Sequence, residues 1–374
     1  MLVDLDGPAW DRTAASAPAS SGTGLFGVDS LDRATRDEHE HEQHHESDAH
    51  VHVDLDTRGG CPRILGGQPD VPSMGSVSAP DPQWPSAASL VTDQPLDARR
   101  CVNLIGVSTY LTSLTPRSWH STPAAVREAL GRFSTWSYRD SLDLADVVAV
   151  VDRGDVFEPD GEGGTDRVAA VVRQSTADLH VILGGDNAAT WHALSALGGD
   201  DLSEWGLITL DAHLDLRDGV SNGSPVRQLL DAGLDGSRVV QIAIADFANS
   251  PFYAARAAAA GITVWPRGVV SERGIAAVVD DALGVAGAGN RPIYVDVDLD
   301  VADRAVVPGC PAAVPGGLSA DDLRTAVRQL ANDGRVRAID FTEVDVGRDS
   351  DDQRTVRLVA LLVLEALAGV GRRT

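Results

Sequence analysis

Four short segments of this 374-residue chain gather side chains that bind cations or move protons. DAHLDLR (211–217) sets Asp211, His213 and Asp215 at alternating positions, and in extended backbone alternate side chains share a face. DVDLDVAD (296–303) carries Asp296, Asp298, Asp300 and Asp303; DFTEVD (340–345) carries Asp340, Glu343 and Asp345; GGDN (184–187) ends in Asp186 and Asn187. Packing several carboxylates into an apolar neighbourhood is strongly unfavourable unless cations neutralise them. The combination points to a divalent-metal site.

Such residues need strands to bring them together. Short apolar runs predict eight strands: Val102–Val107, Val147–Val151, Leu179–Leu183, Leu207–Leu210, Val239–Ile244, Ile262–Val264, Ile293–Val297 and Val336–Phe341. They are rich in Val, Ile and Leu without clean alternation, as expected of strands buried on both faces of a parallel sheet. Helix signals lie between them. Thr122 and Pro123 form an N-cap and first-turn pair closed by Gly131, and Ser319 with Asp322 three residues on resembles a capping box. The pattern predicts a three-layer α/β/α domain over 99–374 with a mainly eight-stranded parallel sheet. In such sheets ligands bind beyond the carboxyl ends of the strands, where each acidic segment begins.

Composition narrows the chemistry further. The chain holds 55 acidic and 31 basic side chains, a net charge of −24, so nucleic acid is not an expected partner. All 31 basic residues are arginine, which excludes a Walker P-loop, a Schiff-base mechanism and a pyridoxal-phosphate lysine. Cys61, Cys101 and Cys310 are too few and scattered for a disulfide framework. Together with a start that lacks a basic, apolar leader, this predicts a cytoplasmic protein. Leu358–Leu364 is too short to span a bilayer and reads as a buried helix, so no membrane partner is expected. Residues 1–60 carry 13 acidic and 4 arginine side chains, with His39, His41, His44, His45, His50 and His52 in one run. They read as a disordered acidic tail, with weak metal collection as the minor alternative. Residues 61–98, rich in Pro, Gly and Ser, read as a linker.

In this order the segments resemble the ureohydrolase family of arginases, agmatinases and formimidoylglutamases. The matching stretches are TPAAVREAL, LGGDN, DAHLD, DLDVADRAVVPGCPAAVPGGLS and DFTEVD, spread over about Val102 to Leu367. The resemblance implies an arginase-like fold, two Mn2+ ions, a small amidine or guanidine substrate and a homo-oligomer, trimeric or hexameric. Carried over by position, one ion takes Asp211, His213, Asp298 and Asp300. The other takes Asp211, Asp215, Asp298 and the residue at Asn187, where the family has histidine; an uncharged amide binds manganese more weakly than imidazole, so this second site is weakened or lost. Asp303 matches a further family aspartate, Asp296 replaces a serine, and His192 is expected on a helix surface. Asp215 is the implied acid/base and Glu343 the group that pairs with the amidinium. Asn222 and Ser224, in SNGSPVRQ, resemble the substrate-contacting stretch of formimidoylglutamases, which lack the agmatinase histidine there. Arg217 and Arg227 are candidates for a substrate carboxylate. Three readings follow: a formimidoylglutamase-like hydrolase, an agmatinase- or guanidinobutyrase-like one, and a non-catalytic relative that has lost one metal. A deacetylase on the related fold is disfavoured, since its usual tyrosine and paired histidines are not evident.

Overall fold

The structure, a computed structural model, describes residues 81, 83–92, 99–115, 121–174 and 176–373. The acidic histidine-rich segment 1–60 and Cys61 lie outside the described residues.

Eleven strands occur among these residues: β1 (Val91–Thr92), β2 (Arg100–Val107), β3 (Trp136–Ser137), β4 (Leu142–Asp143), β5 (Val148–Asp155), β6 (Leu179–Gly184), β7 (Gly206–Leu210), β8 (Val239–Ile244), β9 (Thr263–Pro266), β10 (Ile293–Asp298) and β11 (Val336–Thr342). β3 and β4 form a small antiparallel pair. The other nine make one sheet in the order β1-β5-β2-β6-β11-β10-β7-β8-β9, with every pairing parallel. All eight predicted strands are present. The ninth, β1, is a two-residue edge strand from the segment read as linker; beside it Ala87 is fully buried. Two residues cannot display a periodic pattern, which is why the sequence signal missed it.

Alternating residues feed two apolar layers. Ile208, Leu210, Val295, Val297, Ile339 and Phe341 face helices such as Ala320–Asn332 and Arg354–Gly371. Leu207, Tyr294 and Ala338 face the layer of Ala188–Gly198 and Pro225–Asp231. The block Leu358–Leu364 is indeed helical and mostly buried. No described helix is long and apolar enough to cross a membrane.

The helix signals hold with one shift. Ser319 and Asp322 form a complete capping box, but the N-cap of Thr122–Leu130 is Ser121. Thr122 is instead turned inward, its hydroxyl donating to the Val344 carbonyl at 2.7 Å. A cap predicted for solvent became a tether to the loop that carries Glu343.

The four strands whose ends carry the acidic segments, β6, β11, β10 and β7, are consecutive at the centre of the sheet. Register then aligns rows of side chains on one face. Thr209, Asp296 and Asp340 lie abreast, and Asp298 lies beside Thr342.

Candidate metal centre

The chain leaves β7 through Asp211, His213 and Asp215, and β10 through Asp298 and Asp300. Asp211, His213 and Asp300 offer ligand atoms within 4.8 Å of one another. His213 Nδ1 lies 2.7 Å from Asp300 Oδ2 and 3.6 Å from Asp211 Oδ1. Asp298 closes the same cluster: its pKa is pushed well above the usual range first by burial, then by Asp300 and Asp211.

The electrostatics are those of a site short of positive charge. Burial, then Asp215 and Asp300, pushes Asp211 well up, and its Oδ2 is buried without a hydrogen-bond donor. Burial would lower His213, but the surrounding carboxylates, Asp300 foremost, outweigh it and raise the ring to about 10. Burial would likewise raise Asp300, yet the pairing with His213 holds it below the usual value. Oxygen ligands plus one imidazole suit manganese or a similar hard divalent ion. The donor set and the orphaned Asp211 oxygen fit such an ion.

Asp215 and Glu343 both adopt left-handed backbone, with φ of 51° and 63°. For residues other than glycine this costs on the order of 1–3 kcal/mol, and it is typically retained where a side chain must be aimed. Burial lifts Asp215 to about 7, against the lowering effect of His213 and Asn187. Glu343 Oε1 accepts from the Asn187 N–H at 3.0 Å and from Asn222 Nδ2 at 2.8 Å, while Glu343 N donates to the Gly185 carbonyl at 2.8 Å. Gly185 is required there, because a Cβ would stand 2.2 Å from the Thr109 carbonyl oxygen.

Asn187 lies beside Asp215, and both ends of its amide are engaged. Nδ2 donates to Asp215 Oδ2 at 2.6 Å, and Oδ1 faces the hydroxyls of Thr342 and Thr190 at 2.9 and 3.0 Å. Beneath it, Asp296 and Asp340 lie side by side and fully buried. Neither Asp296 oxygen receives a hydrogen bond of ordinary geometry. Burial and then the Asp340 carboxyl push its pKa well up. Tyr294 and Thr190 donate to Asp340 at 2.6 and 2.8 Å.

A cavity of about 520 Å³ opens over the cluster, lined by His213, Asp215, Asp298, Asp300 and Glu343 at its floor. Arg217 and Asn222 line it as well. Arg217 is exposed and pairs with no carboxylate among the described residues. Two expected contacts do not reach the cavity. Ser224 is buried and spends its hydroxyl on the Ser221 backbone, donating to the carbonyl and accepting from the N–H, both at 2.9 Å. Arg227 is committed to the Arg217 and Gly219 carbonyls and to Asp231. Both hold the loop that carries Asn222 and Arg217. Asp303 also serves a loop, accepting from Ala305 N and Gly316 N at 2.8 and 2.7 Å. His192 lies 2.8 Å from Thr165 and is not among the cluster's ligands. Asp186 accepts from Ser113 and Ala188, and Asp345 from Gly347 N. Sequence reasoning missed Thr190 and Thr342. The available signal was spacing: Thr342 shares a strand face with Asp340, and Thr190 lies three residues beyond Asn187, one helical turn on.

A carboxylate-rich centre with one imidazole, at the carboxyl ends of a parallel α/β sheet, belongs to metal-dependent hydrolase architecture. Residues 101–369 match the arginase family, and the chain belongs to that family. The formimidoylglutamase of Halalkalibacterium halodurans is 33% identical over 288 residues, covering 74% of this chain and 89% of the relative. The crystal structure of the Bacillus subtilis formimidoylglutamase matches with a TM-score of 0.73 at 28% identity, over 80% of this chain and 96% of that one. A Trypanosoma cruzi formiminoglutamase, solved with a pair of Mn2+ ions, shares the fold at a TM-score of 0.69 and 23% identity, over 78% of this chain and all of that one.

Proposed function

We propose that this chain hydrolyses a linear amidine that carries a carboxylate, of the formiminoglutamate type. It is a formimidoylglutamase-like hydrolase acting on carbon–nitrogen bonds other than peptide bonds. One observation carries the finer reading: a single cavity is lined by the buried Glu343 carboxylate and by the exposed Arg217 guanidinium, which pairs with no carboxylate among the described residues. An amidinium at one end and a carboxylate at the other match that polarity, whereas agmatine has nothing to offer Arg217.

Asp211, His213, Asp298 and Asp300 would hold one manganese ion, with Asp215, Asp211 and Asp298 available to a second. A bound divalent ion supplies hydroxide near neutral pH by acidifying water. Glu343, steadied by Asn222 and the Asn187 N–H, pairs with the amidinium and fixes its planar carbon over the floor. Oxygen from water adds to that carbon, and the bond to the glutamate nitrogen breaks. Asp215, held at the cavity by Asn187, accepts the proton from water and passes it to the departing nitrogen. The products are formamide and glutamate.

The test is a panel assay of the manganese-loaded full chain on formiminoglutamate, guanidinobutyrate, agmatine and arginine. Glutamate and formamide from the first substrate alone is the expected result. Urea from a guanidine in preference would move the reading to the agmatinase-like alternative, and turnover of none would leave a non-catalytic relative.

A further inference from the structure

Glu343 lines the cavity from a left-handed turn with φ 63°, and such a conformation persists only where its surroundings hold it. We propose that Thr122, which is not itself a cavity residue, is the positioning residue that keeps Glu343 in that turn and so sets its grip on an amidinium. The chain around Glu343 is fastened at three points. Glu343 N donates to the Gly185 carbonyl at 2.8 Å, and Asp345 N donates to the Gly309 carbonyl at 2.9 Å. Between them the Val344 carbonyl accepts from Thr122 Oγ1 at 2.7 Å. The outer two bonds run from main chain to main chain, so most substitutions leave their donors and acceptors in place. Only the middle one depends on a side chain.

The helix that carries Thr122 fixes where its hydroxyl can go. Thr122, Val126 and Leu130 recur four residues apart and are all buried, which is the spacing of one helix face. Val126 and Leu130 belong to the same apolar cluster as Val344. A hydroxyl on that face, 2% exposed, needs an acceptor, and the sense of the bond is unambiguous because a carbonyl oxygen only accepts. Without the hydroxyl, the Val344 carbonyl, which belongs to a fully buried residue, loses this donor. The strained turn then has one fastening fewer, and its relaxation draws Glu343 Oε1 away from Asn187 N and Asn222 Nδ2.

The kinetic part of this inference rests on the hydrolase reading; its hydrogen-exchange part stands without it. For the full chain, kcat and KM for formiminoglutamate are measured with manganese supplied for Thr122→Val, Thr122→Ala and Thr122→Ser. Mn2+ titration, thermal melting and amide hydrogen exchange over residues 342–346 accompany them. Thr122→Val and Thr122→Ala should each lower kcat/KM about tenfold, leave Mn2+ affinity within about twofold of the parent and speed exchange in 342–346 about tenfold. Thr122→Ser, which keeps the hydroxyl, should bring all three within about threefold of the parent. Parental kcat/KM in a folded Thr122→Val or Thr122→Ala would overturn the proposal. So would an equal loss in Thr122→Ser, which would assign the effect to the methyl group, or a tenfold loss of Mn2+ affinity in Thr122→Ala, which would assign it to the metal centre. If the parent turns over no amidine, the hydrolase reading fails, while exchange over 342–346 still decides whether Thr122 holds the turn.

Discussion

Two histidines, His180 buried and His213 partly exposed at the cavity, mark opposite electrostatic regions of the sheet. His180, near the start of β6, is lowered to about 4 by burial and then by Arg337 and Arg153. His213, beyond the end of β7, suffers the same burial effect yet is raised to about 10 by Asp300, Asp215 and Asp298. One side-chain type is pushed down in one place and up in the other. The sign of the neighbouring charge decides. His180 is a satisfied core histidine, its Nδ1 3.3 Å from Asn103 Nδ2. His213 instead sits among carboxylates, its Nδ1 2.7 Å from Asp300 Oδ2.

The contrast can be broken most severely at the carboxylate end. Asp211→Asn removes a charge shared by both expected ion positions. It should lower Mn2+ affinity by more than about a hundredfold, beyond the 10–100-fold typical of residues that only support ligands, and activity should fall with it. The same titration on His180→Gln should give parental binding. A loss in both variants would mean that the two ends are not electrostatically separate.

The next effect belongs to His180 itself. Its folded pKa of about 4 lies below the ordinary 6.5, so the native state binds fewer protons than the unfolded state between those values. The stability it contributes is present above pH 6.5 and is lost as pH falls toward 4. The full loss is on the order of 3 kcal/mol. Urea denaturation at pH 7 and pH 4.5 should therefore show a smaller acid-side decline in His180→Gln than in the parent. Parallel declines would show that the ring is solvated.

The smallest effect is expected at the cavity wall. Arg217 is exposed, so its pairing with a carboxylate is screened and worth about 1 kcal/mol. Arg217→Ala should raise KM for a carboxylate-bearing amidine about fivefold with kcat little changed. An unchanged KM would remove Arg217 from substrate recognition and leave the carboxylate end of the site without a cation on the wall.

Much of this arrangement was legible before any coordinates. The strands are apolar runs long enough to declare themselves, and their ends carry DAHLD, DVDLD and DFTEVD. Loops were legible only in outline. Ser224 and Arg227 looked available for substrate because their partners, the Ser221 backbone and the Arg217 and Gly219 carbonyls, are chosen when the loop closes. Thr122 looked like a cap because its partner, the Val344 carbonyl, is 222 residues away.

The sequence alone determined the fold class, the acidic segments at the strand ends and the excess of negative charge, because these follow from residue type and from spacing within single strands. Tertiary structure decided which strand ends are neighbours, that Asp296 and Asp340 share a row, and that the Asn187 amide points its NH2 at Asp215. Those outcomes depend on sheet order and on hydrogen bonds between residues as far apart as Asn187 and Thr342. A buried amide takes its orientation from whichever donors and acceptors folding brings to it.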